Sequence, residues 1–363
     1  MECTELKHNI EEACQCSTLF TGQVTYSTGS NPDSLKAVDI NGDNKTDIIV
    51  ANSSSNNVSV LINTGNGTFG AQKTYLTGAS PYEVTAADVN GDNKPDIIVA
   101  NFGSNNVGVL LHTGNGTFGA QKTYSTGSSP DSVVAVDING DNKTDIIVAN
   151  SGSNNVSVLL NIGNGMFGAQ KTYLTGASPY EVTAADVNGD NKPDIIVANY
   201  GSNNVGVLLN IGNGTFAAQK TYSTGSGSSP YYVAAVDVNG DNKPDIIVAN
   251  YGSNNVGVLL NIGNGTFLTQ TTYSTGSGPT CVAAADVNGD NKSDIIVANY
   301  NSNNVSVLLN TGNGTFASQA TYSTGSGSNP NSVTAADING DKKPDIIVAN
   351  YGSNNTGVLL NCC

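Results

Sequence analysis

Residues 145–150, Asp-Ile-Ile-Val-Ala-Asn, carry four consecutive apolar positions, and a polar Ser-Gly-Ser-Asn-Asn separates them from a second apolar run, Val-Ser-Val-Leu-Leu. Short β-branched runs bounded by Gly and Asn are strand signals, and so much Gly and Asn disfavours a long helix. The unit around them parses into four short strands, at 132–137, 145–150, 155–161 and 166–174. An apolar run that does not alternate predicts a strand covered on both faces.

This unit recurs along the chain. The loop Asp-[Ile/Val]-Asn-Gly-Asp begins at Asp39, Asp88, Asp137, Asp186, Asp237, Asp286 and Asp337, at spacings of 49 or 51 residues. Residues 68–118 and 166–216 are almost the same sequence, which marks duplication of a two-repeat unit. Four strands at a period near 50 predict a propeller blade rather than a helical solenoid. The last repeat stops at residues 356–361 without a fourth strand, and residues 20–28 resemble that missing strand, as comparison with 316–324 shows. The predicted architecture is therefore all-β: a seven-bladed β-propeller of four-stranded antiparallel blades over 20–361, its ring closed by the N-terminal strand completing the last blade. A Cys-containing extension at 1–19 and a Cys pair at 362–363 flank it, and 3–14 predicts a short helix with Leu6 and Ile10 on one face.

The repeat pattern, Val-x-Ala-x-Asp-[Ile/Val]-Asn-Gly-Asp-x-Lys-x-Asp-Ile-Ile-Val-Ala-Asn followed by Val-x-Val-Leu-[Leu/Ile]-Asn-x-Gly-Asn-Gly-x-Phe, resembles the FG-GAP or VCBS repeat. Such repeats build the integrin α-subunit propeller and fungal propeller lectins, so the resemblance implies a propeller that binds calcium and a ligand. Only Phe69-Gly70, Phe118-Gly119 and Phe167-Gly168 keep a literal Phe-Gly. All seven Asp loops are intact, whereas integrins keep only some, which favours calcium over an integrin-type receptor role.

The loop chemistry points to a hard cation independently. In the first loop, side-chain oxygens fall at Asp39, Asn41, Asp43 and Asp47, with the Lys45 carbonyl at the seventh position, a spacing like the front half of an EF-hand loop. The same set recurs at Asp88, Asn90, Asp92, Lys94 and Asp96, and at Asp137, Asn139, Asp141, Lys143 and Asp145. It continues at Asp186, Asn188, Asp190, Lys192 and Asp194, and at Asp237, Asn239, Asp241, Lys243 and Asp245. Asp286, Asn288, Asp290, Lys292 and Asp294, then Asp337, Asn339, Asp341, Lys343 and Asp345, complete it. Oxygen-only, flexible cages suit calcium, while zinc would want His or Cys. These loops hold 21 of the 29 acidic residues, and the formal net charge of −15 approaches neutrality if seven divalent ions, about one per blade, bind.

That negative charge, with 14 lysines and no arginine, sets aside a nucleic-acid partner. No apolar run approaches the roughly 18 residues of a membrane span. Of two histidines, His8 lies in the extension and His112 stands where other repeats carry Asn. No Ser/His/Asp or Cys/His set assembles around a common blade. Glu83 and Glu181, two blades apart, offer a carboxylate pair across a channel mouth, but duplication accounts for both. The chain therefore reads as no enzyme.

Binding is better supported. The loop leading into each first strand varies between copies, as in Asn-Pro-Asp-Ser, Ser-Pro-Tyr-Glu, Ser-Pro-Tyr-Tyr and Gly-Pro-Thr-Cys. These loops and the Ala-Asn-Tyr-Gly turns are expected on the face opposite the Asp loops, placing Tyr82, Tyr180, Tyr231 and Tyr232 with Tyr200, Tyr251, Tyr300 and Tyr351 around a rim suited to protein or sugar. The expected function is a calcium-stabilised, monomeric, extracellular adhesion or binding module; a carbohydrate-binding lectin with sites repeated around the ring is the alternative. About a dozen Asn-x-Ser/Thr sequons, such as Asn66 and Asn115, fit secretion. Cys3, Cys14, Cys16, Cys362 and Cys363 sit at the ends that ring closure brings together, and predict a disulfide clasp of undetermined pairing; Cys281 has no evident mate.

Overall fold

The structure is a computed structural model that describes residues 18–362. Seven four-stranded antiparallel sheets follow one another in the chain. Blade 1 runs from Pro32–Val38, the innermost strand, through Asp47–Asn52 and Asn57–Leu61 to Lys73–Leu76 at the outer edge. Blades 2 to 6 repeat this order with innermost strands at Pro81–Ala87, Pro130–Val136, Pro179–Ala185, Pro230–Val236 and Pro279–Ala285. Blade 7 takes Pro330–Ala336, Asp345–Asn350 and Asn355–Leu359 from the C-terminal end and its outer strand, Val24–Ser27, from the N-terminal end. Val24 pairs with Val358 and Ser27 with Asn355, and Phe20 bridges Asn361. The expected ring closure is thus observed, and each of the seven blades has its fourth strand.

The Asp-Ile-Ile-Val-Ala-Asn strands explain why the ring holds. All six residues are buried in every blade. Alternation sends them to opposite neighbours: Ile49 and Ala51 pack with Val84, Ile97 and Val99 of blade 2, while Ile48 and Val50 pack with Ile338, Ile347 and Ala349 of blade 7. The hydrophobic core is therefore seven separate interblade layers, not one centre. Full burial of one such Ile stabilises by about 1.5–3 kcal/mol.

An outer latch repeats between neighbours. Tyr75 stands edge-on to Phe118 of the next blade at 5.4 Å between centroids, and its hydroxyl donates to the Gly116 carbonyl at 3.4 Å. Tyr124 with Phe167 and Gly165, and Tyr173 with Phe216 and Gly214, do the same.

The fourth strand differs from its predicted span. Met166–Phe167 pairs back on Asn161–Gly163 in a small hairpin, and the outer strand is only Lys171–Leu174. The chain bends after Phe167 because that ring turns into an interblade layer, where it is 6% exposed, while Leu174 lies in solvent. The predicted helix over 3–14 lies outside the described residues. So do Cys3, Cys14, Cys16 and Cys363 of the disulfide clasp; Cys362 N–H donates to Leu19 O at 2.8 Å, which places the two chain ends side by side.

Candidate functional site

Two features repeat around the ring, one on each face. The first is the Asp loop. Gly42 and Asn44 take left-handed conformations at φ 79° and 62°, which Gly and Asn adopt at low cost. That turn aims backbone N–H groups inward: Asp39 Oδ1 accepts from Gly42 at 2.8 Å, Asp39 Oδ2 from Asn44 at 2.8 Å, and Asn41 Oδ1 from Asp43 at 2.9 Å. Asp43 also meets Lys45 Nζ at 3.0 Å, and this exposed lysine holds the Asp43 carboxyl below its usual range. Equivalent pairs link Lys143 to Asp141, Lys192 to Asp190, Lys243 to Asp241 and Lys292 to Asp290.

Asp47 has a different environment from its loop companions. Fully buried, it accepts Ile40 N–H at 3.0 Å on Oδ2 and Asn63 N–H at 2.7 Å on Oδ1, tying the loop to the end of the third strand. Asp96, Asp145, Asp194, Asp245, Asp294 and Asp345 make the same two bonds in their blades. Burial, with smaller repulsion from the other two loop carboxylates, pushes Asp145, Asp194 and Asp345 up to about 6. The structure therefore brings Asp39, Asn41 and Asp43 together on the exposed side of the loop and turns Asp47 to the core. Among the described residues, no three of His, Cys, Asp and Glu stand close enough to hold a metal ion between them. The donors that remain outward, two carboxylates and an Asn oxygen per loop, have calcium's preferred chemistry. His112 occupies an Asn position in the third-strand turn, buried, with Nδ1 accepting Gly114 N–H at 3.0 Å and its ring edge-on to Phe118.

The second feature is the axial mouth on the opposite face. Each innermost strand opens with Pro, and the two residues after it point to the axis. The first of these form a ring of Asp33, Tyr82, Asp131, Tyr180, Tyr231, Thr280 and Asn331, one per blade. Above the ring lies a bowl of about 430 Å³, walled by Phe102, Tyr200, Tyr251, Tyr300 and Tyr351 from the turns between second and third strands. Below it lies a well of about 60 Å³ that reaches Glu83, Glu181, Tyr232 and Cys281. Sequence reasoning placed the tyrosines on this face correctly, but Tyr232 belongs to the well, packed against two interblade layers, rather than to the rim.

The aromatic wall is ordered by its own contacts. Tyr82 stacks on Phe102 at 4.2 Å and Tyr180 on Tyr200 at 4.3 Å, both 12° from parallel. Tyr231 stands edge-on to Tyr180 and next to Tyr251.

The polar lining is acidic. Glu83 Oε2 accepts Val133 N–H at 2.8 Å, and Ser132 Oγ accepts Val182 N–H at 3.1 Å, so these side chains satisfy the free edge of the next innermost strand. Burial raises the Glu83 carboxyl, and burial with repulsion from Glu83 raises Glu181 further. Burial also pushes Asp33 and Asp131 up to about 7. Asn331 Nδ2 donates to Asp33 Oδ1 at 3.1 Å, yet Asp33 Oδ2 and Asp131 Oδ2 are buried without a hydrogen-bond partner. Asp33, Asp131, Phe102 and Asn331 were missed from sequence; the alternation of Asp and Tyr after Pro was the available signal.

The profile of the FG-GAP-like repeat matches six overlapping segments, 39–99, 88–148, 137–197, 186–248, 237–297 and 286–348, each spanning one Asp loop and the next. The chain belongs to the FG-GAP-like repeat family. No curated protein sequence matches this repeat protein. Its fold is similar to that of a streptogramin B lyase, at 15% identity and TM-score 0.67, covering 94% of this chain and 98% of that one. A structure of BBS1N in complex with ARL6DN is similar at 12% identity and TM-score 0.66, covering 95% and 97%. An Agrocybe aegerita lectin, described as recognising non-reducing terminal N-acetylglucosamine, is similar at 20% identity and TM-score 0.59, covering 96% and 87%.

The lyase corrects one expectation. Catalysis was set aside because no catalytic set gathers around a common blade, but this architecture carries a lyase, so the reading of the chain as no enzyme does not stand. Physically, a propeller site draws on many blades at once. Glu83, Glu181, Asp33 and Asp131 come from four different blades and line the same well.

Proposed function

We propose that this FG-GAP-like repeat protein is a calcium-stabilised, extracellular binding module that takes its ligand in the axial mouth. One observation carries the reading: aromatic side chains from the innermost strands and from the turns between second and third strands, on five blades, converge on a single bowl of about 430 Å³, within the usual range of a ligand site. Tyr and Phe give large contact area at low conformational cost, and the Tyr hydroxyls add hydrogen bonding at the rim.

Calcium would be held on the opposite face by Asp39, Asn41 and Asp43 and their counterparts, with the Lys45-type carbonyl. Bound there, it supplies positive charge to loops whose carboxylates otherwise repel. Extracellular millimolar calcium matches the affinity such exposed loops provide, with dissociation constants on the order of 10⁻⁴–10⁻³ M. The extracellular assignment rests on that match.

A second reading, a lectin, is favoured by the resemblance to the Agrocybe aegerita lectin and by the affinity of aromatic faces for sugar rings. A glycan array probed with the wild-type chain and with Tyr200→Ala distinguishes the two. Saturable hits that free sugar blocks and that Tyr200→Ala loses establish a glycan ligand in the mouth. Hits that Tyr200→Ala keeps place the sugar elsewhere, and no hits leave a protein or small-molecule ligand for the mouth.

A further inference from the structure

Four carboxyl groups gather at the axial ring and in the well beneath it. Asp33 and Asp131 each keep one carboxylate oxygen with neither solvent nor partner, and Glu83 and Glu181 add two more carboxyls beneath them. Once ionised, such a carboxyl only accepts, so a ligand that favours the ionised form brings N–H or O–H donors. Leaving such an oxygen unmet in a buried site is costly. An anionic ligand faces four carboxyl groups, with the positive charge of Lys36, exposed further along its innermost strand, acting on Glu181.

A metal ion is a poor occupant, because it needs several oxygens within coordination range and the described residues bring no three acidic, His or Cys groups together. The wall instead offers the faces and edges of tyrosine rings. Aromatic faces attract an organic cation, the more so when it is desolvated. The dimensions agree: the well of about 60 Å³ admits a head group the size of a water molecule or two, and the bowl of about 430 Å³ admits a small organic body. A formal charge of −15 draws cations to the molecule generally, and among the described residues this mouth joins orphaned carboxyl oxygens to an aromatic enclosure.

We propose that the axial mouth binds a small primary amine in its ammonium form, the N–H groups meeting Asp33 and Asp131 at the ring and the carbon body lying against the tyrosines of the bowl. This inference rests on the mouth being the binding face and names the class of ligand. The enclosure favours a free small amine over a lysine of a protein surface, since the bowl is ringed by side chains of all seven blades.

The test is calorimetric titration of the full chain with phenethylammonium, and with 2-phenylethanol, which has the same shape without the charge. One site per chain and at least tenfold tighter binding of the ammonium are expected. Asp33→Asn with Asp131→Asn keeps the shape, and should weaken the ammonium at least tenfold while leaving the alcohol unchanged, with an intact thermal transition as evidence of folding. Leu76→Ser with Leu174→Ser, exposed on the outer strands, should bind as the wild type does. Equal affinity for the alcohol, indifference to the Asp33/Asp131 change, or equal loss in the Leu76/Leu174 variant overturns the proposal. No amine binding together with glycan hits that Tyr200→Ala loses would overturn the amine and leave the mouth as the ligand site. Absence of both would sink the two readings together.

Discussion

Phe20 stands edge-on to Tyr322, with 5.3 Å between ring centroids and 85° between planes, although 302 positions separate them in the chain. It repeats the latch that Tyr75 makes with Phe118, and in doing so joins the N-terminal segment to the interblade layer between blades 6 and 7. Phe20 is 2% exposed, and the Thr21 N–H beside it donates to Leu360 O at 2.9 Å.

Truncating that ring tests closure of the propeller. Phe20→Ala removes a buried aromatic from the seam where the two chain ends meet, and should cost about 3–5 kcal/mol in urea unfolding. Phe167→Ala removes the same ring from an internal seam and should cost a similar amount. The two differ in how the native state opens: amides of Val24–Ser27 should exchange faster only in the Phe20 variant. Unchanged exchange there would show that closure does not depend on this contact.

Much of this architecture was legible in the sequence, because seven copies of one pattern average out local ambiguity. The strand Asp145–Asn150 was read with the bounds it has, since Asp, Asn and flanking Gly punctuate it. The outer strand was read too long because Met166 and Phe167 carry strand character whichever partner they take, and pairing with Asn161–Gly163 is a tertiary choice. The Asp loops posed a different difficulty. Asp43 and Asp47 look alike in the motif, yet one meets a lysine in solvent and the other closes two backbone hydrogen bonds in the core. Asp33 and Asp131 lie in variable loops expected on the binding face, but an Asp after Pro is common in turns and nothing local singles either out. Their significance comes from meeting across the axis, which no local window shows.

The division of labour within the Asp loop is separable by mutation. Asp145→Ala leaves the Ile138 and Asn161 N–H groups buried without acceptors, and should cost about 2–5 kcal/mol whether or not calcium is present. Asp141→Ala, in solvent, should leave the metal-free stability unchanged and remove only whatever calcium adds at that blade. Urea melts of both variants in calcium and in EDTA check this, and equal losses in EDTA would contradict the assignment of Asp145 to the core.

Calcium itself should stabilise the wild-type chain measurably. At about 1 mM calcium and the affinity range proposed above, each site contributes roughly 0.4–1.4 kcal/mol, so seven sites contribute roughly 3–10 kcal/mol. For a domain of this size that corresponds to a rise in Tm of about 5–15 °C over the EDTA-treated protein. Native mass spectrometry should count about seven ions. A Tm indifferent to EDTA and no bound ions would mean that the Asp loops are backbone-bonded turns with no metal role.

The axial carboxyls predict an acid-side gain in stability. Asp33 and Asp131 are raised to about 7 from an ordinary 3.8, so the folded chain holds their protons more tightly than the unfolded chain does. Their stabilising effect is full below about pH 4 and is lost as pH rises through about 7. Metal-free protein should therefore lose several degrees of Tm between pH 5 and pH 8. The buried loop aspartates such as Asp145, raised to about 6, titrate in the same window, and burial also raises Glu83 and Glu181 beneath the ring, with the charge of Lys36 beyond them, so the wild-type slope alone does not identify its source. The Asp33→Asn and Asp131→Asn double variant isolates it, because an amide keeps the volume and cannot ionise. At pH 8 this variant should melt above the wild type, and at pH 5 the two should nearly coincide. A constant offset between them at both pH values would show that the two carboxyls do not titrate in this range, and that solvent reaches the ring more freely than its burial indicates.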